Sequence, residues 1–425
     1  MRNDLAGTSL DGDSQGCNPC NGYELLYDID FDTNGDGIMD SNDTYFDPDG
    51  DGSNKGWTPI GDRDNPFVAI FEGNGHTINN LYINQPASTV QNGLFGRTGD
   101  STNGLTATIK NLTLSGDLMS ITVNNYSGAL VGWADNTLIG NCSSTGNVSG
   151  NAYLGGVVGS AESGTVINSS FSTGNVNGTQ GLVGLVAYTD SSSGQVSISG
   201  SYATGDVTGT GSEVGGLIGY TEVDATVSNS YATGAVAGGS RSGGLIGHVN
   251  KGLVTQSYAT GAVNGTDNVG GLIGYVHGGS TIIASYAQGS VEGNDSVGGL
   301  GGYFTSATVT ASYATGLVTG SGRDAGGLFG LSEKITVNQS YWASDATNMS
   351  VAVETFSNTI LNETFAVLLS ELQCPISADD SGCASSPLFA GWDTIDHDND
   401  NNASTATIAP WSFNSETQLP TLKSP

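Results

Sequence analysis

The strongest chemistry in the sequence sits in a loop running from 32 to 43. Asp32, Asn34, Asp36, Asp40 and Asp43 occupy positions 1, 3, 5, 9 and 12 of that loop. Gly37 stands at position 6, where the chain must turn sharply, and Ile38 at position 7 offers a backbone carbonyl. This is the ligand spacing of an EF-hand-type loop for Ca2+, a hard cation that takes six to eight oxygens. Asp43 holds the place where Glu is usual. Flanking helices are not evident, so the loop reads as an insertion in a β cap and not as a calcium sensor. The bland alternative is a solvated acidic turn. A second cluster, Asp47, Asp49, Asp51 and Gly52, repeats positions 1, 3, 5 and 6 but has Thr58 at position 12. It would need help from Asp28, Asp30 or water. A weaker run, Asp393, Asp396, Asp398 and Asp400, lies near the other end. Metal binding at such loops would be part of the folding free energy.

Other chemistry is sparse. A glycosidase needs two carboxylates flanking one sugar, yet Asp206, Glu213, Glu222, Asp224, Asp267, Glu292 and Asp295 are isolated along the chain. Arg241, Lys251 and Arg323 are also single. His76, His248, His277 and His397 are scattered, and no Ser-His-Asp set follows from spacing. The expectation is therefore that the chain is not an enzyme. Cys17 with Cys20, and Cys374 with Cys383, lie in polar loops and suit local disulfides of an oxidising compartment. One zinc site built from all four is the rival reading. Cys142 reads as a buried free thiol.

The elements that must position these residues are repeats. SYATGDVTG begins at Ser201, with copies at Ser230, Ser257, Ser285 and Ser312 and a worn one at Ser340. Their tyrosines, Tyr202, Tyr231, Tyr258, Tyr286, Tyr313 and Tyr341, are 29, 27, 28, 27 and 28 residues apart. Phe171 takes the tyrosine place one unit earlier. A second motif of GGLIG type interleaves, at Gly93, Gly128, Gly155, Gly181, Gly215, Gly243, Gly270, Gly298 and Gly326. Runs of Val, Ile, Thr and Tyr between Gly, Asn and Asp corners signal short strands. Glycine at this density would ruin a helical repeat, and ~28 residues is too short for a propeller blade. The fold expected is all-β: a single-stranded parallel β-helix of about nine or ten coils, a rod on the order of 45 Å long.

Stacked coils align equivalent residues. The tyrosines would form one ladder, and Thr204, Thr233, Thr260 and Thr315 another, interrupted by Gln288. Leu217, Leu245, Leu272, Leu300 and Leu328 would point inward. Gly205, Gly234, Gly261, Gly289 and Gly316 are expected at a corner that requires positive φ. Tyr220, His248, Tyr275 and Tyr303 follow the GGLxG motif; they could stack on sugar rings or pack against a neighbouring loop. Exposed solenoid ends need caps, which places an N-terminal cap with the calcium loops at 1–66, the repeats at 67–345 and a C-terminal cap at 346–425.

Composition narrows the function. The 425 residues include 66 Gly, and 10 Lys+Arg face 41 Asp+Glu, a formal net charge of -31. Nothing could neutralise nucleic-acid phosphates, and no apolar run approaches the ~20 residues of a membrane span. No signal peptide is visible at the start, so the chain reads as a mature protein or an excised piece.

The pattern GGLIGY…SYATGAVNG resembles the GLUG repeat of large bacterial surface proteins. WTPIG from Trp57, FEGNGHTINNLYI from Phe71 and PWSFNSETQLPTLK from Pro410 resemble the usual flanks of such repeats. The resemblance implies a right-handed parallel β-helix on an exported protein, secreted or held at the bacterial cell surface, without fixing an activity. Some secreted metallopeptidases carry such repeats, but this chain has no HExxH. The function expected is a non-catalytic, calcium-stabilised adhesin stalk or binding module. Its partners would be a cell-surface glycan or protein, or copies of itself. A self-assembling filament or sheath, and more remotely a carbohydrate-active enzyme, are the alternatives.

Overall fold

A computed structural model describes residues 22–47, 50, 52–88, 91–190, 193–372, 411–412 and 419–422. The coil beginning at Ile218 represents the rest. Strand Ile218–Thr221 is followed by Thr226–Ser228, Tyr231–Ala232, Val236–Ala237 and Ser242–Gly243, and the next coil starts at Ile246. Each strand pairs in parallel with its equivalent one coil on: Ile218 with Ile246, Thr226 with Leu253, Tyr231 with Tyr258, Val236 with Val263 and Ser242 with Val269. The fold is an all-β parallel solenoid of about nine turns, as expected. One lateral sheet has nine strands, so its eight spacings of ~4.8 Å make it about 38 Å long. Stacking begins with Gly22–Glu24 on Ile70–Glu72 and runs to Phe365–Val367 on Tyr341–Ala343.

The inward columns are apolar and dry. Leu217, Leu245, Leu272, Leu300 and Leu328 are fully buried, as are Val207, Val236, Val263 and Val291 beside them. No coil can bury these faces alone, so stability comes from neighbours. The rings of Phe171, Tyr202, Tyr231, Tyr258, Tyr286 and Tyr313 stack with centroids 4.7–4.9 Å apart and planes within 6°. Isolated aromatic pairs prefer offset or edge-on geometry; here the coil spacing imposes near-parallel stacking. Near its upper end the ladder is covered. Trp411, from a short antiparallel pair with Thr421–Leu422, packs against Tyr286 and Tyr313, and the Tyr313 phenol donates to the Pro420 carbonyl at 2.7 Å. Of the threonine column, Thr204 and Thr233 are exposed and Thr260 and Thr315 half-buried.

Three corners turn each coil through a left-handed residue. Glu213, Asp224 and Asn229 serve one coil, and Arg241, Lys251 and Gln256 the next. The third corner breaks the strand ladder just before the SYAT serine, and the serine repairs it. The backbone N–H of Ser201 donates to the Ser230 hydroxyl, that of Ser230 to Ser257, and that of Ser257 to Ser285, each at 3.2–3.3 Å. Each hydroxyl donates in turn to the carbonyl two residues back, at 2.7–2.9 Å. These serines are buried, and a buried N–H without a partner is costly. Cys142 opens this column: it is a buried free thiol, as expected, and its N–H donates to Ser170 Oγ. Burial pushes its thiol up to about 12.

The glycine column corrects an expectation. Gly205, Gly234, Gly261, Gly289 and Gly316 do not have positive φ. A Cβ on any of them would instead lie under 3.0 Å from the carbonyl oxygen of the glycine one coil below. Close approach of backbones, not a left-handed turn, selects glycine here.

Two substitutions separate these roles. Gly261→Ala should force adjacent coils apart and lower the apparent melting temperature more than Ser257→Ala, which strands the Ser230 N–H at a cost of about 1–3 kcal/mol. Thr204→Ala, exposed beside them, should stay within about 0.5 kcal/mol of the parent. Thermal unfolding followed by circular dichroism checks the order; equal shifts for all three would contradict it.

Candidate functional site

The acidic loop folds onto its own backbone. Asp32 accepts the N–H groups of Gly35 and Gly37 at 2.8 and 2.9 Å, one on each carboxylate oxygen. Asn34 Oδ1 accepts the Asp36 N–H, and Asp36 accepts the Ile38 N–H and the Asn34 amide. Asp40 accepts from Asn42. Gly35 and Gly37 are left-handed, at φ 71° and 78°. Asp43 is buried and closes the loop, taking the N–H and hydroxyl of Thr33 on Oδ1 and the Asp40 N–H on Oδ2. Burial opposes ionisation of Asp43, but the N–H groups of Asp40, Thr33 and Asn34 outweigh it and hold its carboxyl below the ordinary value. Ile38 is exposed. Asp47 accepts the Gly52 N–H on Oδ2, while its Oδ1 is buried without a hydrogen-bond partner. Asp49 and Asp51 lie outside the described residues, as do Cys17, Cys20, Cys374, Cys383 and the 393–400 run. Among the described residues, no three His, Cys, Asp or Glu side chains are grouped so as to hold a metal ion.

A second feature comes from stacking alone. On the face that follows the GGLxG motif, alternate side chains point outward in two rows. The first reads Arg97, Trp133, Ser160, Tyr188, Tyr220, His248, Tyr275 and Tyr303 in register. The second reads Asp135, Glu162 and Asp190 in register, with Glu222 next to the paired Thr189 and Thr221. Four successive coils thus place carboxylates in one column. The left-handed corner residues form a third row, of which Tyr153 packs edge-on to Tyr188 and Glu213 bonds His248.

This face holds its cations in one way. Arg97 bonds Asp135 at 3.3 Å and lies over the Trp133 ring at 5.3 Å. Arg241 bonds Glu213 at 2.9 Å and lies over the Tyr275 ring at 5.2 Å. Both pair a carboxylate with an aromatic face. Tyr220, His248 and Tyr275 stack on one another at 4.4 and 4.8 Å, so each ring's faces are largely used within the column. Desolvation lowers the His248 pKa against the pull of Glu213, and its Nε2 is buried without a partner. Desolvation also raises Glu162 to about 7; the Ser160 hydroxyl opposes the rise, and the Asp190 and Asp135 charges add to it. Tyr188 donates to Glu222 at 2.5 Å.

Reading the acids as isolated along the chain named Glu222 alone of this column and missed the column itself. Its signal was present: Asp135, Glu162, Asp190 and Glu222 each stand five residues after the inward Leu130, Val157, Leu185 and Leu217. Aligning coils on the GGLxG motif would have found it.

The family described as "The GLUG motif" matches residues 210–237. That window contains one GGLIG corner, Gly215–Gly219, and one SYATG corner, Ser230–Gly234, the two motifs that recur through the stacked coils. The chain is a parallel β-solenoid in which one coil matches the GLUG motif. Over 105 residues it is 42% identical to halomucin of Haloquadratum walsbyi, a match covering 24% of this chain and 1% of that protein. The chain thus spans a very small part of that relative's length. No solved structure matches it. Among its described residues, no helix is long and apolar enough to cross a membrane.

Glu162 makes the face pH-sensitive. Its value in the folded solenoid, about 7, lies above the ordinary 4.5 of an unfolded glutamate. The folded chain keeps the proton longer, so this group lowers stability as pH rises between those values. Glu162→Gln should raise the apparent melting temperature at pH 8 and change it little at pH 4. A variant no more stable than the parent at pH 8 would contradict the assignment.

Proposed function

We propose that the chain is a non-catalytic extracellular β-helical module of a surface protein, a calcium-stabilised stalk whose lateral face is a binding surface. One observation carries this reading. The inward leucines and the glycine and serine corners are nearly the same in every coil, whereas the outward row runs Trp133, Ser160, Tyr188, Tyr220, His248, Tyr275. A constant scaffold lets the outward row vary without changing the stacked interior. The similarity of a quarter of the chain to halomucin fits a surface protein, and the net charge of -31 suits a solvated, non-aggregating rod.

The calcium part rests on the donor set. Asp32, Asn34, Asp36, Asp40 and Asp43 supply hard oxygens, and the Ile38 carbonyl adds one. Asp47, with its unpartnered Oδ1, would open a second site with Asp49 and Asp51. Bound calcium would neutralise a segment that otherwise repels itself and would fix the first coil at its open end.

Calcium titration by calorimetry should give saturable heat that Asp32→Asn/Asp36→Asn abolishes, and chelator should lower the apparent melting temperature of the parent only. Absence of heat at millimolar calcium would remove the calcium part. The purified chain on beads should retain a ligand from glycan and protein arrays and sediment as an elongated monomer. Chelator-sensitive filaments would favour self-assembly instead.

A further inference from the structure

We propose that the long face between Arg97 and Arg241 docks an arginine-rich polypeptide segment lying extended along the solenoid axis. This deepens the reading of the chain as a binding module by naming the chemistry of its partner.

The face states its own preference. At each end it holds a guanidinium in the same manner, a carboxylate on the edge and an aromatic ring beneath: Arg97 with Asp135 and Trp133, Arg241 with Glu213 and Tyr275. From Asp135 the acidic column continues through Glu162, Asp190 and Glu222, beside Tyr188 and Tyr220; the Arg241–Glu213 pair stands in the corner row and not in this column. The coils carrying Glu162 and Asp190 bring no cation of their own: the 130 residues from 111 to 240 contain no Lys or Arg. Glu162 accepts from the Ser160 hydroxyl and Glu222 from the Tyr188 phenol. Like charges aligned on neighbouring strands are destabilising, so a bound cation would relieve a repulsion that the fold leaves in place.

A second observation points the same way. The Asp135 side chain is only 6% exposed. Its Oδ2 takes Arg97 and the Ser101 N–H, but its Oδ1 is buried with no hydrogen-bond partner. This uncompensated oxygen belongs to the column that continues through Glu162.

Geometry selects an extended peptide. From Asp135 to Glu222 there are three coil spacings, about 14 Å. Alternate residues of an extended strand are ~6.6–6.8 Å apart, so three arginines at alternate positions span about 13 Å. Guanidinium is favoured over ammonium because its planar fork pairs with a carboxylate along its edge, as Arg97 and Arg241 already do here.

The probe is a fluorescent Arg-Ser-Arg-Ser-Arg peptide, followed by anisotropy in chelator at 0.15 M salt, where the Debye length of ~8 Å suppresses distant charges. Glu162→Gln/Glu222→Gln should weaken binding about tenfold or more, the loss of charge-assisted hydrogen bonds. Asp206→Asn/Glu292→Gln removes the same charge from other, exposed positions and should weaken it less than about twofold, in keeping with exposed, screened charge. Lysine in place of arginine should bind more weakly. Equal losses from the two double variants would mean only the general attraction of an acidic rod and would overturn the proposal. So would a lack of saturable binding, or displacement by spermine at the same charge concentration. Thermal unfolding of both double variants confirms that each is folded. The calcium and bead assays use neither the peptide nor these variants, so failure here is distinguishable from failure of the module itself.

Discussion

Where each coil passes through the SYATG corner, the backbones of neighbouring coils approach too closely to admit a side chain. A Cβ at Gly205, Gly234, Gly261, Gly289 or Gly316 would run into the carbonyl oxygen of the glycine below. That contact sets the vertical spacing, and the rest follows from it. Rings 27–29 residues apart in sequence but one coil apart in space must stack almost parallel. The serine just before each ring must bridge a gap in the ladder opened by a left-handed residue. Carboxylates at a fixed offset from the inward residue must line up whether or not their charges agree. A solenoid has no freedom to relieve such conflicts locally, because moving one residue moves the register of a whole coil.

This explains what was legible in the sequence. Period and strand signals were enough for the solenoid, the leucine column and the tyrosine ladder, since these depend only on which residue recurs. The function of the recurring glycine was misread because sequence shows that glycine is required without showing why: positive φ and close approach select the same residue. The serine bridge was invisible because its partners are main-chain groups. The acidic column was missed for a different reason. Its members, Asp135, Glu162, Asp190 and Glu222, differ in type, so they become neighbours only once the coils are aligned on the GGLxG motif. The 32–43 loop was legible as a chemical pattern; in the structure its carboxylates are occupied by the loop's own N–H groups, an arrangement that spacing alone does not reveal.

The division between a repeated interior and a changing exterior links fold to function. Burial of Leu217 and its equivalents is satisfied identically in each coil, so outward residues contribute little to folding and are free to serve recognition. Here they combine aromatic rings, carboxylates and two guanidinium groups held by both. The cost is electrostatic: desolvation and neighbouring carboxylates raise Glu162 to about 7, a tension that a cationic partner would resolve.

The account stands on the serine bridges and the glycine contact that frames them, and amide hydrogen exchange tests these most directly. The amides of Ser201, Ser230, Ser257, Ser285 and Ser312, each bonded to the serine hydroxyl of the following coil, should be among the slowest to exchange in the chain, and Ser257→Ala should release that of Ser230 selectively. Serine amides that exchange as fast as those of the exposed 62–64 loop, or a Ser257→Ala variant that leaves Ser230 protected, would contradict it.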